Sequence, residues 1–126
     1  MAAAAKRVLV VDDEEILLNL LTRLLERAGF RVTCARDGDE AQRLVEAEPA
    51  SFDAAILDVG VPPRGALVAL RALRSLRPGL GAILTSGSGP DAHVRDALRE
   101  AQTTFVSKPF APADLTRALA QVTGAA

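Results

Sequence analysis

The sequence has no tryptophan or tyrosine, four phenylalanines and a single cysteine, Cys34. One cysteine cannot form an internal disulfide or a metal site built of cysteines, and we expect Cys34 to be a small buried hydrophobe in a strand. The few aromatic residues and the formal net charge of -1 argue against a nucleic-acid surface or attraction to anionic lipid. No apolar run has the length of a membrane span, and the N-terminal residues lack a signal-peptide core. We therefore expect a cytoplasmic protein that binds neither nucleic acid nor membranes.

Length and hydrophobic pattern predict one α/β domain. The 126 residues, 49% of them hydrophobic, are enough for a single core, so we expect one domain over residues 1–126 with an ordered core at about 6–122. The predicted strands are 6–11, 30–35, 54–57, 80–85 and 104–107, and the predicted helices are 14–28, 37–47, 66–76, 90–100 and 112–122. Strict alternation of this kind predicts a doubly wound parallel sheet with helices on both faces.

Apolar residues at helical spacing predict which helix faces are buried. In the first predicted helix one broad stripe consists of Ile16, Leu17, Leu20, Leu21 and Leu24. In the last predicted helix the apolar face consists of Leu115, Ala118, Leu119 and Val122. We expect both stripes to pack on the sheet.

The third predicted strand ends in one carboxylate. Residues 54–57 are apolar, Asp58 follows them directly, and a loop containing Gly60 and two prolines comes next. Because a charge is costly inside a core, Asp58 belongs at its rim. Aspartate is common in turns, so Asp58 is either the first residue of a solvated loop or the reactive group of a site at the strand end.

Polar side chains follow three other strands at the same edge of the predicted sheet. The first strand ends in Asp12 and Asp13, the fourth in Ser86 and the fifth in Lys108. Taken singly, they are ordinary helix-capping acids, a turn serine and a solvated loop lysine. Since the carboxyl ends of parallel strands share one edge, their joint occurrence with Asp58 predicts a site there.

Three carboxylates, a hydroxyl and an ammonium at one edge favour phosphoryl chemistry. Carboxylates that repel one another can stay ionised around Mg²⁺, which binds oxygen ligands and phosphates. A carboxylate can attack phosphorus to give an aspartyl phosphate, and a metal ion, an ammonium and a hydroxyl can stabilise the charge of the transferred group. The residues therefore predict a phosphoryl-accepting site at Asp58.

Four segments, in this order and at these intervals, resemble the receiver domain of two-component response regulators. They are residues 10–14 (Val-Val-Asp-Asp-Glu), 57–59 (Leu-Asp-Val) with Pro62 and Gly65, 84–87 (Leu-Thr-Ser-Gly) and 105–110 (Phe-Val-Ser-Lys-Pro-Phe). The resemblance covers almost the whole chain. It implies a flavodoxin-like five-stranded parallel sheet in the order 2-1-3-4-5, with five helices.

The resemblance implies that Asp58 is the phosphoacceptor. It also implies a Mg²⁺ or Mn²⁺ site formed by Asp12, Asp13, Asp58 and the backbone carbonyl of Gly60. Of the adjacent acids Asp12 and Asp13, the resemblance favours Asp13 as the direct metal ligand. The resemblance also implies that the protein is not an enzyme and catalyses only its own phosphorylation and dephosphorylation.

The resemblance also implies how residues near Asp58 contact the phosphoryl group and pass on the phosphorylation signal. Ser86 and Lys108 would contact the phosphoryl group, the Lys108–Pro109 peptide bond would be cis, and Ser86 and Phe105 would form the switch. The implied partners are a sensor histidine kinase or histidine phosphotransfer protein, a downstream protein target, and a second copy of the chain. The last two would bind the face formed by the fourth helix, the fifth strand and the fifth helix.

The loop after Asp58 departs from the family pattern. It is one residue shorter, Arg64 stands where an acid is common, and Gly60 brings no side chain over the acceptor. Two other functions stay open. One is a pseudo-receiver that binds a partner without phosphorylation. The other is a phosphohydrolase with an aspartyl intermediate, although such enzymes of the Asp-x-Asp type carry a second acid at the position of Gly60.

Overall fold

Five strands and five α-helices alternate through residues 5–124, the part of the chain that the structure, a computed structural model, describes. In chain order they are β1 (Arg7–Val11), α1 (Glu15–Arg27), β2 (Arg31–Ala35), α2 (Gly38–Ala47), β3 (Ala54–Asp58), α3 (Ala66–Leu76), β4 (Gly81–Ser86), α4 (Ala92–Ala97), β5 (Thr103–Ser107) and α5 (Pro112–Thr123). A 3₁₀ turn, Pro49–Ser51, separates α2 from β3. None of the described helices combines the length and apolarity needed to cross a bilayer.

The strands form one parallel sheet in the order β2-β1-β3-β4-β5, which confirms the predicted fold. The strand order reverses between β1 and β3, and doubly wound sheets bind ligands beyond the carboxyl ends of the strands at this point. The pairing of Val11 with Leu57 brings the ends of β1 and β3 together. On the other side Asp58 pairs with Thr85 of β4. The sheet thus places Asp58 at the switch point.

Two apolar layers cover the sheet, one on each face. Successive residues of a strand point to opposite faces, so alternate side chains of β1 and β3 enter different layers. One layer joins strand residues to α2, α3 and α4 and includes Leu9, Val11, Ala55, Leu57 and Leu84. The other joins them to α1 and α5 and includes Val8, Val10, Ala54, Ile56 and Ile83. Burial on both faces explains why the central strands are continuous apolar runs.

The apolar stripe predicted for α1 is wrong in part. The fully buried side chains of α1 are Leu18, Leu21 and Leu25, whereas Ile16 is 85% exposed and Leu20 is 56% exposed. This helix carries apolar residues over more of its circumference than one contact with the sheet can cover. The face predicted for α5 is confirmed, since its buried residues are Leu115, Ala118, Leu119 and Val122.

The prediction that Cys34 is buried is also wrong. Cys34 is half-buried, and its sulfur lies 3.2 Å from the hydroxyl oxygen of Thr22 on α1. The cause is its position on β2, which is an edge strand and less covered than the three central strands.

Helix α4 is shorter than the predicted helix 90–100. It begins after Asp91, whose side chain accepts a hydrogen bond from the Val94 N–H at 2.9 Å, and it ends at Ala97. The segment beyond it is tied to α3 by Arg74, whose guanidinium donates to the backbone carbonyls of Ala101 and Gln102. Burial lowers the pKa of Arg74, and the charge of Glu100 partly offsets this. These tertiary contacts hold residues 100–102 in turns that helical spacing does not predict.

Gly81 is required where β4 meets α5. A Cβ atom at this position would lie 2.6 Å from the carbonyl oxygen of Val122 and 2.9 Å from its Cγ2. We expect Gly81→Ala to lower the free energy of unfolding by about 1–3 kcal/mol, because the backbone of α5 has to move. Urea denaturation measures this, with Gly87→Ala as the control because nothing lies within 4 Å of an added Cβ there. Equal losses in both variants would contradict the described packing.

Candidate functional site

Three of the predicted residues meet at the carboxyl edge of the sheet. The Lys108 Nζ donates to Asp58 Oδ1 at 2.8 Å and to Asp12 Oδ2 at 2.9 Å. Asp12 and Asp58 lie close because they follow the paired strands β1 and β3. Lys108 reaches them from β5, and its backbone N–H donates to the Ser86 carbonyl of β4 at 2.9 Å. The sheet register therefore assembles two carboxylates and an ammonium from three strand ends.

The two carboxylates differ in exposure. The Asp12 side chain is only 4% exposed, whereas that of Asp58 is 20% exposed. Asp12 also accepts the backbone N–H of Glu14 at 3.0 Å, and Asp58 accepts that of Gly60 at 3.1 Å. Neighbouring carboxylates repel each other, and the shared ammonium reduces that repulsion. Asp58 is thus the more accessible carboxylate of a cluster whose two carboxylates and one ammonium leave one formal negative charge.

The electrostatics of the cluster keep Lys108 charged. Partial burial lowers the pKa of Lys108, but hydrogen bonds to Asp58 and Asp12, together with their negative charges, outweigh burial and raise it overall. A raised lysine pKa means that the ammonium persists throughout the neutral range. Its stabilising contribution is complete below the pKa of an ordinary lysine and is lost only as the pH rises through the raised value.

The structure does not bring Asp13 into this cluster. Asp13 is exposed and forms no hydrogen bond or ion pair with Asp12, Asp58 or Lys108. Its neighbour Glu14 lies 3.8 Å from Lys108 Nζ instead, a contact that the sequence pattern did not single out. The only signal for it was the run of four acids at positions 12–15.

The donor set is suited to a hard cation. Within residues 5–124, no three histidine, cysteine, aspartate or glutamate side chains are grouped as a ready metal cage. The Asp12 and Asp58 carboxylates and the Gly60 carbonyl are nevertheless oxygen donors, and Mg²⁺ commonly uses one or two carboxylates with water and phosphate. The residues therefore fit such an ion, and the metal-binding roles of Asp12, Asp13, Asp58 and Gly60 stay predictions.

The loop after β3 leaves the Asp58 carboxylate accessible from solvent. Val59 N–H donates to the Thr85 carbonyl at 2.8 Å and Val61 N–H to the Asp58 carbonyl at 3.0 Å, so the loop backbone is anchored. Between them Gly60 is exposed, and a Cβ atom there would meet only Asp58 Oδ2, at 3.5 Å. The absence of a side chain at Gly60 thus keeps the space beside the carboxylate free.

The hydroxyl of Ser86 is engaged inside its own loop. Its oxygen accepts the Ser88 N–H at 3.1 Å and lies 3.2 Å from the Ser88 hydroxyl oxygen. It forms no hydrogen bond with Asp58 or Lys108. A contact of Ser86 with a phosphoryl group therefore stays a prediction, and Ser88 is a neighbour that the sequence pattern did not reveal.

Phe105 lies on β5, opposite Leu84 in the sheet register. It is half-buried and packs against the layer formed with α2, α3 and α4. Its role as a switch stays a prediction. The Lys108–Pro109 peptide bond is cis, as the resemblance implied.

Comparisons with known proteins give a consistent result. A family model described as the response regulator receiver domain matches residues 8–120. The chain is 30% identical to the chemotaxis protein CheY of Thermotoga maritima, over 93% of this chain and 97% of that protein. A receiver-domain crystal structure from Clostridium thermocellum has a TM-score of 0.87 at 27% identity, with 94% of each chain covered.

A second solved structure bears on the chemistry. A response regulator from Burkholderia pseudomallei, described as having a phosphorylated aspartic acid, a calcium ion and citrate, has a TM-score of 0.80 at 29% identity. The match covers 90% of this chain and 66% of that one. Several other curated relatives are longer, and the chain spans only 47%, 45% and 50% of three of them.

Proposed function

The chain belongs to the response regulator receiver domains of two-component systems, and from this premise we propose that Asp58 accepts a phosphoryl group from a sensor histidine kinase or histidine phosphotransfer protein. The observation that carries the proposal is the cluster at the switch point. There a partly exposed carboxylate lies 2.8 Å from an ammonium, and the space beside it is open at Gly60.

The proposed reaction is an in-line transfer. A carboxylate oxygen of Asp58 forms a bond to phosphorus while the bond from phosphorus to the donor's imidazole nitrogen breaks and leaves its electron pair on that nitrogen. Such transfers need positioning and charge stabilisation more than acid–base groups. Lys108 already lies at the carboxylate and carries the positive charge that the phosphoryl oxygens require.

The cation of this reaction would be Mg²⁺ or Mn²⁺, held by Asp12, Asp13, Asp58 and the Gly60 carbonyl. When bound, it supplies neutralisation of the charge on the phosphoryl oxygens. The calcium ion and phosphorylated aspartate in the description of the Burkholderia structure support this choice by analogy.

The exposed part of α1 supports contact with a donor protein. Ile16 is 85% exposed and Leu20 is 56% exposed, and α1 begins directly after the acids at 12–14. A partner that brings a phosphohistidine to Asp58 passes over this surface and can bury both side chains, which is favourable in water.

The signal would leave through the face formed by α4, β5 and α5. An aspartyl phosphate adds charge and strong acceptor oxygens, to which the Ser86 hydroxyl could turn while Phe105 moves inward. A downstream protein or a second copy of the chain would bind the altered face. Receiver domains are generally signalling domains rather than enzymes, and we assign this chain no catalysis beyond its own phosphorylation and dephosphorylation.

The test is incubation of the protein with acetyl phosphate and Mg²⁺, followed by intact mass measurement. We expect the mass to increase by one phosphoryl group, and no increase when the metal is removed with EDTA. Absence of any mass increase in the folded wild-type protein with Mg²⁺ present would favour the pseudo-receiver. Repeated turnover of a small phosphate ester would favour the phosphohydrolase.

A further inference from the structure

The geometry at the end of β4 points to Ser88 as a positioning residue, which holds the Ser86 hydroxyl away from Asp58 and thereby sets how readily the site is phosphorylated. This inference rests on the proposed function and adds a regulatory residue to it. Its basis is the pair of contacts between the two serines, one from the Ser88 N–H at 3.1 Å and one between the hydroxyl oxygens at 3.2 Å.

Only the side chain of Ser86 is free to respond to a phosphoryl group. Its backbone is fixed by pairing with Ser107 of β5 and by the hydrogen bond from Lys108 N–H to its carbonyl at 2.9 Å. A change in the direction of the hydroxyl is therefore a rotation between staggered side-chain conformations rather than a movement of the strand. What the hydroxyl contacts in its present conformation determines how readily it rotates.

The contacts with Ser88 compete with the contact that phosphorylation requires. A serine hydroxyl has one donor hydrogen and two acceptor lone pairs, and Ser88 engages it through both its backbone N–H and its hydroxyl. Turning toward a phosphoryl group on Asp58 breaks these contacts. Because a neutral hydrogen bond shifts an equilibrium by about two- to tenfold, the Ser88 hydroxyl alone lowers the population of the rotated conformer by about that factor.

Replacing Ser88 by alanine removes only the contact between the two hydroxyls, and the hydrogen bond from the backbone N–H at position 88 remains. Ser88 is flanked by Gly87 and Gly89, and a Cβ atom at either glycine would have no heavy atom within 4 Å. Ser88 itself is exposed, so its replacement disturbs no core contact. An effect of a Ser88 variant on phosphorylation therefore does not arise from a loss of folding.

The experiment measures the rate of phosphorylation by acetyl phosphate with Mg²⁺ in the wild type and five variants. We expect Ser88→Ala to react about two- to tenfold faster than wild type, and Ser88→Thr, which keeps the hydroxyl, to react at the wild-type rate. In the Ser86→Ala background the Ser88→Ala substitution should have no effect, because the hydroxyl that it releases is gone. Ser75→Ala is the matched control, since this exposed hydroxyl on α3 donates only to the Arg71 carbonyl.

Thermal unfolding accompanies the rates, and the midpoint of Ser88→Ala should equal that of the wild type. A Ser88→Ala rate equal to wild type, or a gain that persists without Ser86, overturns the role of Ser88 while wild-type phosphorylation leaves the proposed function standing. If the wild-type protein takes up no phosphoryl group, the proposed function and this inference fall together.

Discussion

Asp58→Asn is expected to abolish phosphoryl incorporation, with a loss of more than about a thousandfold in the rate with acetyl phosphate or a phosphorylated donor protein. The amide has nearly the shape of the carboxylate but lacks its negative charge and its nucleophilic oxygen. The fold should remain intact, because Lys108 keeps its hydrogen bond to Asp12 at 2.9 Å. Intact mass and phosphoprotein gels measure the incorporation, and circular dichroism measures the fold.

Asp39→Asn provides the matched control for Asp58→Asn. Asp39 is an exposed acid in the first turn of α2, outside the cluster, so its amide variant should be phosphorylated at the wild-type rate. An acid-stable, base-labile phosphate that still forms on Asp58→Asn would show that another carboxylate, such as Asp12 or Asp13, is the acceptor. That outcome would contradict the assignment of Asp58.

The sequence predicts the core of this cluster because apolar runs reveal where strands end. Asp12 and Asp58 each follow such a run, and Lys108 follows β5, in which only Phe105 and Val106 are apolar. A parallel sheet brings the carboxyl ends of its strands to one edge. The sequence does not reveal that Asp12 rather than Asp13 contacts Lys108. Adjacent residues after a strand point in different directions, and the choice between them depends on the local turn.

Tertiary contacts explain the other differences between prediction and structure. Helical spacing predicts that Ile16 and Leu20 face the core, but the contact surface of the sheet covers only part of the apolar circumference of α1. The end of α4 depends on Arg74, which is 26 to 28 residues distant in sequence from its partners there. The Ser86–Ser88 contact depends on one side-chain rotation in a glycine-rich loop. Periodicity carries no information on these three features.

Lys108→Met tests the role of the ammonium in the cluster. We expect this substitution to slow phosphorylation by about a hundredfold, because it removes the positive charge that faces the transferred group. It also leaves the Asp12 side chain, which is only 4% exposed, beside Asp58 without a counter-charge. Breaking a buried ion pair costs up to about 5 kcal/mol, and the partial exposure of Lys108 and Asp58 reduces this here. In EDTA we therefore expect the free energy of unfolding to fall by about 1–2 kcal/mol.

Added Mg²⁺ separates the electrostatic role of Lys108 from its packing. A divalent cation can supply the positive charge that Asp12 and Asp58 lose with the ammonium, so Mg²⁺ should stabilise Lys108→Met more than it stabilises the wild type. Lys6→Met, a variant of the only other lysine in the sequence, controls for the loss of a surface charge at the opposite end of β1. Unchanged stability of Lys108→Met in EDTA would mean that Asp12 does not depend on the ammonium. In that case neutralisation by Lys108 could not be what keeps two carboxylates together at the site.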